Sequence, residues 1–147
     1  MQACAIQMNV ISALLKMLNR AHAMDSVYYE QVLESALLAT SALSATSEEC
    51  RKSVVESRML AVVVEALSSP ASSTPVKIAA CQCARGLSRS VKNLRTNLFD
   101  AGISKPLLKL LNDPSVAVQT TACATLCNMV LEFSPLKKVS VGERFTD

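Results

Sequence analysis

The sequence predicts an all-α protein built as a stack of short helices, and three observations support this. Half of the 147 residues are hydrophobic but only 3% are aromatic, so the apolar mass is mainly Leu, Ala, Val and Met. Alanine and leucine favour helices, whereas strands favour aromatic and β-branched residues. The chain also repeats itself at a spacing of 42–44 residues, and the same helix-starting device, a capping residue followed by proline, occurs in two copies.

The repeat appears when the chain is compared with itself. Ala80-Cys81 matches Ala122-Cys123 at an offset of 42, and MLAVVVEAL (59–67) matches ISKPLLKLL (103–111) at an offset of 44. Further upstream, 41–56 matches 85–100, again at 44. Such a period is typical of helical solenoids. Because one copy cannot bury its apolar face alone, the copies are expected to stack.

Each full copy is predicted to contain three helices, of which the first is short. This first helix spans Ser47–Ser57 in one copy and Val91–Ala101 in the next. Thr46 and Glu49 have the spacing of a capping box at the start of the earlier one. Gly102 is well suited to end the later one, because glycine readily adopts the left-handed conformation found there.

The second and third helices follow in the same order in both copies. The third helix begins with an N-cap residue before proline, as Thr74-Pro75 and as Asp113-Pro114, and continues to about Ser88 or Glu132. The second helix is predicted to bury Val63, Val64, Leu67, Leu107, Leu108 and Leu111.

Substituting Leu108 by Asp is therefore expected to unfold the stack, since it would place a charge in the core.

The N-terminal copy is predicted to be incomplete. Asn9–Leu18 is assigned as a second helix and Tyr29–Ala45 as a third, joined by a longer polar loop that contains His22. Both ends of the stack are expected to lack capping repeats. The predicted repeat region covers residues 1–135 and is followed by an irregular tail at 136–147; its repeats cover about 9–45 (partial), 46–89 and 90–133.

The six cysteines are expected to be free thiols, with no metal and no cofactor bound. Cys123 and Cys127 share a helix face but supply only half of a tetrahedral zinc site. Cys81 and Cys83 point about 200° apart on a helix and cannot complete it. His22 has no partner at zinc-finger spacing. Cys123 and Cys127 are therefore predicted to be buried, since free cysteine packs as a small hydrophobe.

Composition also argues against several classes of function. The longest apolar run, 59–64, is far too short to span a membrane, and no basic region precedes the N-terminal apolar stretch, so neither a membrane segment nor a signal peptide is predicted. A net charge of +3 and few aromatic residues do not favour nucleic acid. No nucleophile–base pair or phosphate-binding loop is evident, so the sequence predicts neither an enzyme nor a small-molecule substrate.

Two stretches resemble known proteins. AGISKPLLKLL (101–111) with ACATLCNMV (122–130) resembles an armadillo repeat, with glycine after the first helix, paired leucines in the second and Asn128 in the third. The resemblance implies an armadillo-type right-handed superhelical solenoid fragment of about three repeats. More narrowly, 87–111 and LCNMVLEFSP (126–135) resemble the family of armadillo repeat-containing protein 8, from about Asn9 to Pro135.

That family is the armadillo scaffold subunit of the CTLH (GID) E3 ubiquitin ligase, which directs proteasome-mediated degradation. The resemblance implies a non-catalytic protein that helps bring a substrate receptor to the ligase core, has other ligase subunits as partners, and resides in cytoplasm and nucleus. The chain is shorter than members of that family, whose receptor-binding surface lies mostly in later repeats. The alternative interpretation is a stand-alone armadillo adaptor unrelated to ubiquitination.

In armadillo solenoids the third helices line a concave groove. The Asn128 amide is expected either to hold the extended backbone of a partner or to satisfy the loops of the neighbouring repeat. Ala124 occupies the position where nuclear-import receptors carry tryptophan, which argues against an import receptor. The candidate partner-binding residues are Gln82, Arg85, Arg89 and Asn128.

A basic stripe is the second groove hypothesis. Arg85, Arg89, Lys92 and Arg95 are spaced four, three and three residues apart, as on one helix face. Such a stripe would suit an acidic segment of a partner protein. The helix is expected to break near Ser90, which would divide the stripe and leave a solvated helix end.

Overall fold

The computed structural model describes the backbone of residues 2–90 and 92–133 and the side chains of residues 9–90 and 96–130. Within these ranges the chain forms helices and no strand, so the all-α prediction is confirmed. The predicted tail at 136–147 lies outside the described residues. The helices are α1 (Gln2–His22), α2 (Ser26–Thr46), α3 (Glu48–Glu56), α4 (Met59–Ser68), α5 (Thr74–Leu87), α6 (Lys92–Asp100), α7 (Ser104–Leu110) and α8 (Val116–Phe133).

The helices follow one another as a hairpin, α1–α2, and two triplets, α3–α5 and α6–α8. The last helices of the three groups form one layer, in which α5 packs between α2 and α8. On the other side of the stack α4 contacts α7, and α3 contacts α6. Equivalent helices of successive groups therefore lie side by side, which is the arrangement of a solenoid.

Helix α5 lies at the centre of the hydrophobic core. Cys81 and Cys83 are both buried, although they point to opposite sides of the helix, because α2 covers one side and α8 the other. Burial raises the pKa of each thiol to about 12, and the Asp113 carboxylate adds to the effect at Cys81. The thiols are therefore protonated packing groups, as free cysteine in a core usually is.

The hairpin α1–α2 differs from its prediction. His22 is the last residue of α1, and only three residues, 23–25, separate the two helices. Leu18 and Ala21 are buried, so the apolar face of α1 continues to the helix end. The His22 ring lies 5.0 Å from the Tyr29 ring. The predicted longer polar loop containing His22 is therefore wrong, because packing extends the helix through a polar stretch.

The starts of α3 and α5 lie one residue away from the predicted capping positions. The Ser47 hydroxyl accepts a hydrogen bond from the Cys50 N–H at 3.2 Å and caps α3. Thr46 instead belongs to α2 and donates to the Leu43 carbonyl at 2.7 Å, so the predicted capping box is wrong. The N-cap position of α5 is occupied by Ser73 rather than Thr74.

Asp113 has a different role from the predicted N-cap. Its Oδ1 accepts from the Ser115 N–H at 2.9 Å, and its Oδ2 pairs with the Lys77 ammonium at 2.7 Å. These two hydrogen bonds, the one from Lys77 first, hold the pKa of the Asp113 carboxyl below its usual value. Ser115 is the residue whose hydroxyl accepts from the first turn of α8, at the Val118 N–H. Asp113 thus anchors the preceding turn to α5.

Gly102 ends α6 as the sequence predicts. Its φ is +79°, and its N–H donates to the Phe99 carbonyl at 2.9 Å. The Ile103 N–H donates to the Leu98 carbonyl at 3.4 Å, and both of these side chains are buried. This combination is a Schellman motif with its hydrophobic contact.

Two predictions of burial are wrong. Leu108 is 56% and Leu111 is 36% exposed, whereas Leu107 is completely buried, so Leu107 and Leu110 carry the contact of α7 with the core. Cys123 and Cys127 are exposed. Both errors concern the side of a helix that no other described helix covers. The apolar pattern of one helix does not reveal which of its sides another helix will cover.

Candidate protein-binding groove

The layer formed by α2, α5 and α8 presents one row of exposed polar side chains. Gln82 and Arg85 lie on the same face of α5, and Arg89 follows just after its end. All three are exposed, while Ala84 and Leu87 between them are buried. The structure thus brings three of the four predicted groove residues into one exposed row.

Asn128 connects α8 with the end of α5. Its Nδ2 donates to the Ser88 hydroxyl at 2.9 Å, and this hydroxyl donates to the Arg85 carbonyl at 2.6 Å. The Asn128 side chain is partly buried. One N–H of the amide is therefore used to join two repeats, as one of the two interpretations expected. That the same amide also contacts a partner stays a hypothesis.

The basic stripe is divided. Helix α5 ends at Leu87 and α6 begins at Lys92, so the four basic residues do not share one helix. This agrees with the predicted break near Ser90. Arg85 and Arg89 remain as an exposed pair. The side chain of Arg95 lies outside the described residues.

A repeated hydrogen bond joins the third helices beneath the row. The Thr125 hydroxyl shares its proton between the Thr121 carbonyl of its own helix at 2.8 Å and the Cys81 carbonyl of α5 at 3.1 Å. The Cys83 thiol lies 3.4 Å from the Leu37 carbonyl. Thr125 matches Cys83 at the offset of 42, so the same position makes the same contact in both repeats. Sequence analysis missed this pair, although the offset that aligns Thr125 with Cys83 was available as a signal.

Cys123 and Cys127 are the unexpected members of this surface. Cys127 matches Arg85 at the offset of 42 and continues the exposed row onto α8. Cys123 matches Cys81, which is buried where α8 packs on α5. No helix of the described residues covers the corresponding side of α8, so Cys123 is exposed.

The chemistry of the surface suits contact with another protein. Within 2–90 and 92–133, no three His, Cys, Asp or Glu side chains are grouped to hold a metal ion. An exposed amide and two guanidinium groups above a fixed helix layer can form hydrogen bonds and ion pairs with a partner chain.

None of the described helices is long and apolar enough to cross a membrane.

Comparison with known proteins agrees with the resemblance carried by the sequence. Residues 93–131 match the Armadillo/beta-catenin-like repeat. The chain is 47% identical over 116 residues to GID complex subunit 5 of Schizosaccharomyces pombe, which is 79% of this chain and 14% of the relative. It is 38% identical over 115 residues to armadillo repeat-containing protein 8 of Danio rerio, covering 78% of this chain and 17% of the relative.

Solved structures show the same fold. A designed armadillo repeat protein in complex with the peptide (KR)4 superimposes with a TM-score of 0.73 over 90% of this chain and 52% of the designed one, at 23% identity. A second designed armadillo repeat protein gives a TM-score of 0.66 over 78% of this chain and 46% of its own, at 27% identity. The predicted armadillo-type solenoid is confirmed. The chain spans 14–17% of the length of the curated relatives described above.

Proposed function

We propose that this chain acts as a non-catalytic scaffold segment of a GID/CTLH-type ubiquitin ligase. It is an armadillo-type solenoid and a homologue of GID complex subunit 5 and armadillo repeat-containing protein 8. The observation that carries this proposal is the 47% identity over 116 residues to a subunit of that complex. The matched part covers most of the stack described above.

The mechanism of such a segment is positional. The hydrogen bonds from Thr125 and Cys83 to neighbouring helices, and that from Asn128 to Ser88, fix the spacing of α2, α5 and α8. A partner held on the exposed row is then kept at a defined distance from other subunits. Transfer of ubiquitin belongs to a different subunit in this proposal, and bringing a substrate receptor to the ligase core is the role proposed for the assembled scaffold.

The exposed row is the proposed contact surface. Gln82 can donate and accept hydrogen bonds, and Arg85 and Arg89 can pair with carboxylates. We expect an acidic segment of another ligase subunit to lie here, with Asn128 beside it. The chain is expected to reside in cytoplasm and nucleus, which microscopy of a fluorescent fusion would test.

A pull-down tests the proposal. The tagged 147-residue chain is recovered from its own cells and its partners are identified by mass spectrometry. We expect ligase subunits with the intact chain and their loss with Arg85→Glu/Arg89→Glu. The matched control is Lys105→Glu/Lys109→Glu, which makes the same charge change at exposed positions of α7 and should retain them.

The second candidate function is a stand-alone armadillo adaptor. The exposed row of Gln82, Arg85 and Arg89 favours it, because these side chains can bind a partner chain without any ligase subunit. A soluble, folded chain that recovers no ligase subunit would contradict the scaffold proposal and support the adaptor.

A further inference from the structure

A second concave surface lies away from the groove. A cleft of about 730 Å³ opens between the first half of α2, helix α4 and the loop that joins α4 to α5. Its apolar lining includes Leu33 and Ala66, which are buried, and Val62, which is partly buried. The acidic residues that line it are Glu30, Glu34 and Glu65.

The cleft is negatively charged in a chain with a net charge of +3. No lysine or arginine lines it, and the salt bridges of the described residues involve none of its three glutamates. The Glu30 carboxylate accepts a hydrogen bond from the Ser73 N–H at 3.2 Å, which leaves its charge unneutralised. Glu34 and Glu65 are therefore available to a cation from outside.

The carboxylates act on a common region of the cleft. Burial raises the pKa of the Tyr29 phenol, and the nearby charges of Glu65 and then Glu30 raise it further. These two glutamates come from different helices, α4 and α2. The field inside the cleft is thus set by both walls together, and an apolar lining strengthens it by excluding water.

Two simpler explanations fit less well. The three glutamates are not grouped as a metal site, since the described residues hold no such cluster of three. The cleft is also not an uncovered end of the stack, because its walls belong to consecutive helix groups, α1–α2 and α3–α5, that are both within the described chain. It lies at the first half of α2, whereas the groove row lies at the end of α5.

We propose that this acidic cleft binds an extended segment of a partner protein by taking up a lysine or arginine side chain. The aliphatic stem of such a residue packs on Leu33, Val62 and Ala66 while its charged end reaches the carboxylates, as amphipathic basic side chains do. Charge complementarity selects the occupant, since an acidic or neutral side chain would gain nothing from this field. The proposal is independent of the ligase role, because it needs no ligase subunit.

The test uses the full chain and a defined probe. Binding of the fluorescein-labelled peptide GAKARAKAG is measured by fluorescence anisotropy, beside GAQAQAQAG as a neutral control. We expect the basic peptide to bind and Glu34→Gln/Glu65→Gln to weaken it by about tenfold, because two charge contacts beside the apolar lining are lost. Glu30 is left unchanged because its carboxylate also holds Ser73.

Two further variants separate the cleft from general attraction. Glu49→Gln/Glu56→Gln removes the same charge from exposed positions of α3 outside the cleft and should change binding less than about twofold, as expected for a screened surface charge. Ala71→Leu adds bulk to the cleft lining without changing charge or offering an aromatic face to a cation, and should also weaken binding. Equal losses for both glutamate pairs, or equal binding of both peptides, would overturn the proposal.

Discussion

Leu107 and Leu108 are adjacent in α7 yet lie in opposite environments. Leu107 is completely buried, and Leu108 is 56% exposed. Sequence analysis assigned both leucines to the core, although Lys105 and Lys109, four residues apart, mark a polar side of the helix beside Leu108. The direction of the helix is fixed by α4 and α8, which pack on it.

This difference gives a matched pair of substitutions. Leu107→Asp should lower the free energy of unfolding by about 3 kcal/mol or more, because it buries a charge without a partner. Leu108→Asp should change it by about 0.5 kcal/mol or less, since the side chain is in water. Thermal melting followed by circular dichroism measures both, and equal losses would show that α7 is turned differently.

At the scale of a helix, the chain shows which boundaries local sequence determines. The end of α6 was predicted from Gly102 because few other residues tolerate its φ of +79°. The predicted capping residues of α3 and α5 are each one residue away from the observed ones. Thr46 and Ser47 are neighbours with similar capping chemistry at the start of α3, and so are Ser73 and Thr74 at the start of α5. Tertiary packing selects between them, and one helix alone does not contain that information.

Gly102 offers a test of this argument. A Cβ at this position would meet no atom within 4 Å, so the backbone conformation alone should determine the effect. Gly102→Ala is expected to lower the free energy of unfolding by about 1 kcal/mol, the cost of a left-handed alanine. Gly102→Asn should cost less, because asparagine tolerates that conformation. Chemical denaturation of the three proteins measures the order, and an equally stable alanine variant would contradict it.

At the scale of the whole molecule, the offsets of 42 and 44 predicted the stacking of the repeats, and the structure confirms the solenoid. The groove residues could be named from the resemblance, but neither the bonding partner of Thr125, which the offset of 42 only aligns with Cys83, nor the acidic cleft could be predicted. Both depend on two helices that are distant in sequence. The exposure of Cys123 was missed for the same reason, since its match Cys81 is buried only because another helix covers it.

The cysteines report on which helix faces are covered. Cys123 and Cys127 should react quickly with a thiol reagent, whereas Cys81 and Cys83 should react only on unfolding. Burial blocks access to the inner pair, and a pKa of about 12 leaves little thiolate to react. Peptide mapping by mass spectrometry measures each site, with the denatured chain as control. Protection of the outer pair in the native chain would contradict the exposed face of α8.

The hydrogen bonds between successive repeats have a kinetic consequence. The bonds from Cys83 to Leu37 and from Thr125 to Cys81 span 46 and 44 residues. The entropy lost on closing a loop grows with its length, by about 0.6 kcal/mol for each doubling. Because every added repeat closes a loop of this same size, lengthening such a chain does not lengthen the search that folding must complete. Assembly can therefore start at one repeat and proceed to its neighbours at a rate that the repeat, rather than the full chain, determines.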